Sequence, residues 1–244
     1  MASLYTNLDV IVLSWITGEA AVGIYSAAWK IVRLGSVAAK AYTTAVFPVM
    51  SRLHAESRES FTRLYRHTIR VMCAIALPAI AIVSIVPDRM IGLLFSEEYA
   101  AAAPVLQVLI WVLLIDFLNP FLSFTLFAQG RQDKSMHVAA ISLFVNSIAT
   151  YALVLQYGAV GAATGTVIGG LVAMVCYLMF AMPKPEVIAT FTLAVRVCVA
   201  AAGMGWVVFY FRDSNWFALL LVGGLVYIPL LFLVKAIRIA DLRF

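Results

Sequence analysis

The chain has 244 residues and a net charge of +5, and 64% of its residues are hydrophobic while only 12% are charged. Soluble globular domains contain about 45 to 50% apolar and about 25% charged residues, so this composition excludes a soluble protein. It predicts an all-α, polytopic membrane helix bundle. Because Lys and Arg collect at the cytoplasmic side of such proteins, the basic balance does not indicate a nucleic-acid partner.

Apolar runs between polar breaks predict eight transmembrane helices. They cover approximately residues 4–17, 20–50, 67–86, 101–127, 136–157, 160–182, 187–211 and 216–237. The first helix has only 14 residues by this count, fewer than the roughly 20 that span a bilayer, and is interpreted as truncated. A basic segment over residues 52–66 separates the second and third helices, and Pro87 is predicted to begin an outside loop.

The eight helices are predicted to form two groups. Residues 1–182 form a compact six-helix lobe with tight turns at Gly18 and Gly158, and residues 183–244 form a two-helix extension beyond a break at Pro183 and Pro185. Helix six contains three glycines at four-residue spacing, which favours close helix packing. They are Gly161, Gly165 and Gly169.

Charges in the loops predict the orientation. If helix one runs outward, eleven of the 17 Lys and Arg residues lie in inside segments, and only Arg89 and Arg212 lie outside. The positive-inside rule then predicts that every even-numbered helix ends in the cytoplasm, as does the C-terminus.

Three cations, Lys30, Arg33 and Lys40, lie within the second predicted helix. Each would cost roughly 2.5 to 3.5 kcal/mol at the bilayer centre, so they must face protein or water. At about 100° per residue they share one side of the helix, whereas Ile31 and Ala38 are expected on the opposite side. Such a stripe predicts a route or pocket for an anionic substrate, and a purely structural role is the alternative.

Polar residues also occur inside other predicted spans. Asp9 lies in helix one and Asp116 in helix four, where each carboxylate needs a partner or a wet cavity. In one interpretation Asp9 pairs with Lys30 or Arg33; in another, Asp9, Asp116 and Asn146 line the lumen and take part in ion coupling. For the Asn and Ser side chains of helices four and five, interhelical hydrogen bonding is the favoured interpretation. They are Asn119, Ser123, Ser142 and Asn146.

The three cysteines lie in apolar runs, and no metal-spaced cluster of ligands is present, so no cofactor and no metal site are expected. They are Cys73, Cys176 and Cys198.

The run from Asp9 to Lys30, followed by Phe47 and Pro48, resembles the opening of the C-terminal half of bacterial polysaccharide flippases. These are lipid-linked oligosaccharide transporters of the multidrug/oligosaccharidyl-lipid/polysaccharide exporter superfamily. Further similar pieces cover approximately residues 5 to 170, and include 93–95, 128–131, Asn146 and 158–164. The resemblance implies two six-helix lobes around a central cavity, of which this chain matches the C-terminal lobe with its two-helix extension.

The resemblance also implies a function without an enzymatic step. An undecaprenyl-diphosphate-linked oligosaccharide would move from the cytoplasmic to the periplasmic leaflet of the bacterial inner membrane, for polysaccharide biosynthesis. Lys30, Arg33 and Lys40 would contact its diphosphate or acidic sugars. Because a whole lobe precedes the matched Asp9 in the family, the chain is expected to need an N-terminal lobe or a homodimer partner, besides membrane lipid.

Three other functions are compatible with parts of the sequence. A cation-coupled multidrug exporter of the same superfamily would have an acidic cavity, and the cationic stripe argues against it. A membrane enzyme acting on polyprenyl phosphates would need clustered acid, base or metal-binding residues, which the sequence does not provide. An inert membrane scaffold or partner subunit is the third alternative.

Overall fold

The computed structural model describes residues 8–182, 184–212, 223–227 and 229–231, and within these residues it contains helices and no strand. The predicted all-α class is therefore confirmed. The predicted start of helix one at Leu4, the break at Pro183 and most of the predicted last helix, 216–237, lie outside the described residues.

Across the described part of residues 8–210, eight α-helices follow one another. They are α1 (Leu8–Thr17), α2 (Glu19–Glu56), α3 (Arg58–Ile85), α4 (Pro87–Leu94), α5 (Ala102–Leu109), α6 (Val112–Ala128), α7 (Gln132–Ala181) and α8 (Lys184–Tyr210). A 3-10 turn, Glu97–Tyr99, lies between α4 and α5. Residues 223–227 and 229–231 are also helical, and the Tyr227 hydroxyl donates to the Ala74 carbonyl at 2.9 Å, which ties this segment to α3.

Four helical segments of the described chain are long and apolar enough to cross a membrane: Arg58–Ile85, Ala102–Ala128, Gln132–Ala181 and Glu186–Tyr210. At 50 residues, α7 would measure about 75 Å if straight, more than twice the hydrocarbon thickness. It reverses at Gly158, whose φ of 55° is non-helical, and so makes two passes. With α1, α2 and the helical residues after 222, the expected number of about eight membrane helices is confirmed.

Two predicted boundaries are wrong. The basic segment over residues 52–66 is helical, because α2 continues to Glu56 and α3 begins at Arg58. Ser57 separates them and caps α3, since its hydroxyl oxygen accepts the Ser60 amide hydrogen at 3.3 Å. Pro87 begins helix α4 instead of a loop, because a proline in the first helical turn sacrifices no needed hydrogen bond, and Ile91 of this helix is buried.

The two halves of α7 pack closely against each other. Glycines of the second half face the first half, where an added Cβ would overlap neighbouring atoms. The pairs are Gly161 with Leu153, Gly165 with Thr150, and Gly169 with Asn146. Small residues let helix backbones approach in this way, so the predicted close packing is confirmed.

An apolar outer stripe runs along the first half of α7. Its exposed side chains recur every three to five residues: Met136, Ile141, Phe144, Ile148, Tyr151 and Leu155. In a membrane protein a purely apolar exposed stripe faces acyl chains. Helix α6 packs against α7 and also contacts α2 and α3. Helix α8 packs against α3.

Candidate functional site: a cationic helix face and a polar cavity

One side of α2 is exposed and carries Lys30, Arg33 and Lys40, as their spacing predicts. Leu34 and Val37 lie among them with 72% and 68% of their surface exposed. We call this surface the cationic face. It differs from the outer stripe of α7 because charged and apolar side chains alternate on it, whereas the α7 stripe is apolar.

The buried side of α2 contains Ile31, Val32 and Ala39. Ile31 lies opposite the cations as expected, but the expectation for Ala38 is wrong because this residue is exposed. The exposed side therefore covers about half of the helix circumference. Protein, lipid or water must therefore contact this exposed side along several turns of α2.

Two of the three cations of α2, Lys30 and Arg33, lie over aromatic rings. Lys30 Nζ lies 5.9 Å from the ring centroid of Phe95, and Arg33 Cζ lies 5.4 Å from that of Trp29. Both distances suit cation–π attraction. The ion pairs of Arg63 with Glu59 and of Arg66 with Glu186 both lie outside the cationic face.

A polar cavity of about 410 Å³ lies behind the cationic face, between α1, α6 and α7. Asp9, Asp116 and Asn146 all line it, so the structure brings together the three residues that the sequence singled out as lumen groups. Trp29 of α2 contributes to the wall. Further polar side chains in the lining are Asn119, Ser123, Ser142, Thr166 and Tyr177.

Asp9 is buried and bonded to hydroxyl groups. The Tyr25 hydroxyl donates to Asp9 Oδ2, and the Thr166 hydroxyl donates to the same oxygen at 3.4 Å. The interpretation that Asp9 pairs with Lys30 or Arg33 is therefore wrong. The physical reason is that Tyr25 projects from the buried side of α2 towards α1, whereas the cations project from the exposed side.

Asp116 is bonded to α2 through Ser36, whose hydroxyl donates to Asp116 Oδ2 at 2.6 Å. This contact depends on the close approach of α2 and α6. At Gly35, an added Cβ would lie 2.6 Å from Leu113 Cδ1, so a larger residue would force the Leu113 side chain to move. Arg33 is near enough to Asp116 to attract it electrostatically.

The amide and hydroxyl side chains of α6 and α7 bind glycine carbonyls across helix contacts. Ser142 Oγ donates to the Gly169 carbonyl at 2.9 Å, Asn119 Nδ2 to Gly170 at 3.1 Å, and Asn146 Nδ2 to Gly165 at 3.5 Å. These carbonyls are reachable because glycine has no side chain to cover them. The favoured interpretation of interhelical hydrogen bonding is confirmed for these three residues.

The cavity offers oxygen atoms beyond these bonds. Asn119 lines the cavity, and its Oδ1 is buried without a hydrogen-bond partner. Within the described residues no group of three or more His, Cys, Asp or Glu side chains could hold a metal ion. Carboxylate, amide and hydroxyl oxygens are suited to water, a proton or a hard cation.

The sequence patterns did not identify four residues of the site: Tyr25, Trp29, Ser36 and Thr166. Three of them lie on α2, and Thr166 follows the packing glycine Gly165. Their polar or aromatic character was visible, but their partners belong to helices distant in sequence. Only the tertiary packing pairs Thr166 with Asp9, 157 positions earlier.

Comparisons with known proteins agree with this architecture. The chain is 25% identical over 181 residues to the capsular polysaccharide biosynthesis protein CapF of Staphylococcus aureus. This match covers 74% of this chain and 46% of CapF. It is 23% identical over 163 residues to the probable low-salt glycan biosynthesis flippase Agl15 of Haloferax volcanii, covering 66% of this chain and 34% of Agl15. The chain thus spans less than half the length of these curated relatives.

The fold matches that of the lipid II flippase MurJ in its inward closed conformation, with a TM-score of 0.77 and 18% identity. The match covers 96% of this chain and 52% of the MurJ chain. The MatE family model matches residues 1–152, more than half of the sequence. With polysaccharide flippases among its relatives, a MurJ-like fold and this family match, the chain is a multi-pass membrane protein that belongs to the MatE family.

Proposed function

We propose that this chain forms one lobe of a flippase that moves an undecaprenyl-diphosphate-linked oligosaccharide from the cytoplasmic to the periplasmic leaflet. The relatives named for capsular polysaccharide and glycan biosynthesis support a glycan substrate. A diphosphate headgroup needs a wet, cationic route, while its polyprenyl tail remains in lipid. The activity is transport, so no covalent bond is made or broken.

The observation that carries the proposal is the cationic face. Lys30, Arg33 and Lys40 extend over about 15 Å of the helix axis, at about 1.5 Å per residue. They are exposed, and none of the ion pairs found in the described residues engages them. In the proposed role they contact the diphosphate or acidic sugars in turn. Arg33 offers a planar fork for phosphate oxygens, and the lysines offer compact charges.

The polar cavity supplies the proposed ion coupling. Asp9 and Asp116 are acidic side chains within membrane helices, and both face the cavity that Asn146 also lines. A proton or hard cation taken up there would change the charge beside α2, because Tyr25 and Ser36 bind these carboxylates directly. The two sites are thus joined by one helix. Coupling of this kind would let an ion gradient drive the headgroup along the cationic face.

The proposed transporter has two lobes. Residues 1–182 form a six-helix lobe and residues 183–244 a two-helix extension, in the bacterial inner membrane with the C-terminus in the cytoplasm. The cationic face is the side of the lobe that meets an aqueous route, and a second lobe or a second copy provides the facing wall. Rocking of two bodies about a shared site is how many transporters alternate access.

Complementation of a bacterial strain that lacks its polysaccharide flippase tests this proposal. The 244-residue chain alone is expected to fail, while a two-lobe version, in which six further helices precede the chain, restores export. In that version, Arg33→Ala and Lys40→Ala should each reduce export about tenfold or more, since a charge-assisted contact is lost. Arg63→Ala is the matched control, because Arg63 is a solvated cation with 75% of its side chain exposed.

Two results would contradict the proposal. Equal export by the Arg33, Lys40 and Arg63 variants would remove the cationic face from the substrate route. Full complementation by the 244-residue chain alone would refute the need for a separate lobe and indicate a homodimer that builds both walls. Drug resistance without glycan export would instead support the multidrug alternative.

A further inference from the structure

Trp29 belongs to both parts of the candidate site. Its ring lines the polar cavity and also lies beneath the Arg33 guanidinium, 5.4 Å from ring centroid to Cζ. The Trp29 ring also meets Tyr25 in an edge-to-face contact, with ring centroids 6.4 Å apart and planes at 77°. Tyr25 in turn donates its hydroxyl to Asp9. A continuous series of contacts therefore joins the buried carboxylate to an exposed cation.

The spacing of these residues explains how a buried group reaches the surface. Tyr25, Trp29 and Arg33 are four residues apart, so they stack along successive turns of α2. Four residues turn through about 400°, which rotates each position by about 40° relative to the one before. Accordingly Tyr25 is fully buried, Trp29 is half-buried and Arg33 is exposed.

We infer that Trp29 is a positioning residue that couples the charge state of Asp9 to the placement of Arg33. While the carboxylate is ionised and has no cation bound, it accepts a hydrogen bond from the Tyr25 hydroxyl and holds that ring in its edge-to-face contact with Trp29. A proton or cation on Asp9 weakens this acceptor and frees the Tyr25 ring. Trp29 then loses its lateral support, and Arg33 loses the ring on which it rests.

This coupling rests on the proposed function, because it gives the ion-coupling cavity a route to the substrate-binding cation. It predicts that Arg33 is most firmly held when the Asp9 carboxylate carries no proton or bound cation, and is released when Asp9 takes one up. Asp116 also attracts Arg33 directly, through space. The test is therefore a double-mutant cycle that leaves Asp116 unchanged throughout.

The experiment measures the chemical reactivity of Arg33 in the purified 244-residue chain in detergent. Phenylglyoxal modifies accessible arginines, and mass spectrometry gives the modification rate of Arg33 relative to that of Arg63. Asp9→Asn should raise this ratio about two- to fivefold, the range expected for losing an exposed cation–π contact. In a Trp29→Leu background the ratio should start high, and Asp9→Asn should add nothing to it. Trp29→Phe, which keeps an aromatic ring, should retain part of the Asp9→Asn response.

Two further variants complete the test. Tyr25→Phe keeps the ring but removes the hydroxyl, so it should reproduce the effect of Asp9→Asn even if that variant folds poorly. Trp15→Leu is the matched control, since Trp15 is 85% exposed on α1 and outside the series of contacts; the ratio should not change.

Equal responses to Asp9→Asn with and without Trp29 would overturn the inference, as would an unchanged ratio in both Asp9→Asn and Tyr25→Phe. The measurement needs no transport, so its failure and a failed complementation are distinguishable.

Discussion

The three cations of α2 are compatible with a membrane helix only because of what they face. Lys30, Arg33 and Lys40 share an exposed side that also contains Leu34 and Val37. Contact with acyl chains along this side would cost about 2.5 to 3.5 kcal/mol for each cation at the bilayer centre. In the proposed route, water and an anionic headgroup remove that cost. Exposure on α2 therefore has a different meaning from exposure on the apolar stripe of α7.

Cysteine labelling separates these two kinds of exposure. In a two-lobe version with the native cysteines replaced, Cys at position 30, 33 or 40 should react with a membrane-impermeant thiol reagent. Cys in place of Ala39, on the buried side of α2, should be protected by packing. Cys in place of Phe144 should be protected as well, although Phe144 is 68% exposed, because it faces lipid. Equal protection of positions 30, 33 and 40 would contradict an aqueous route along α2.

At the scale of the helices, glycine sets the spacing on which the cavity depends. Gly165 and Gly169 let the halves of α7 meet, and Gly35 leaves room for the Leu113 side chain between α2 and α6, where Ser36 binds Asp116. The carbonyls of the α7 glycines accept hydrogen bonds from Asn146 and Ser142, which line the cavity. The same glycines therefore determine both the packing of the α7 halves and the hydrogen bonds of the polar lining. A change that separates the helices should also change the cavity.

Gly165→Ala tests this dependence. The added Cβ would overlap Thr150, so we expect a loss of about 1 to 3 kcal/mol in the free energy of unfolding. Thermal unfolding in detergent should show a lower midpoint than for the wild-type chain. Gly23→Ala is the control within a helix, because nothing lies within 4 Å of its added Cβ. It should leave stability unchanged or raise it by up to about 1 kcal/mol. Equal midpoints for the two variants would contradict the packing argument.

At the scale of the whole molecule, the sequence predicted what depends on composition and helical periodicity. The all-α membrane bundle, the turns at Gly18 and Gly158 and the shared side of the cations follow from spacing within one element. Partners across elements did not follow, as Asp9 shows, because Tyr25 and not a cation turned out to face it. The helix over residues 52–56 was missed because its charges interrupt the apolar pattern.

The predicted orientation concerns the whole chain, and a pair of reporter fusions tests it. The charge distribution places eleven Lys and Arg residues inside and two outside, which favours a cytoplasmic C-terminus. A reporter fused after Phe244 should be active only in the cytoplasm, and one inserted at Glu97 only in the periplasm. The reverse pattern would require α1 to run inward and would contradict the proposed direction of transport.

The most direct test of the central claim is the movement of a fluorescent undecaprenyl-diphosphate-linked oligosaccharide across vesicles that contain the purified two-lobe version. The fluorescence that an added impermeant quencher cannot reach reports the lipid on the inner leaflet. We predict exchange between leaflets with the wild-type protein, about tenfold slower exchange with Arg33→Ala or Lys40→Ala, and wild-type exchange with Arg63→Ala. Equal exchange rates in all four proteins would contradict a headgroup route along the cationic face of α2.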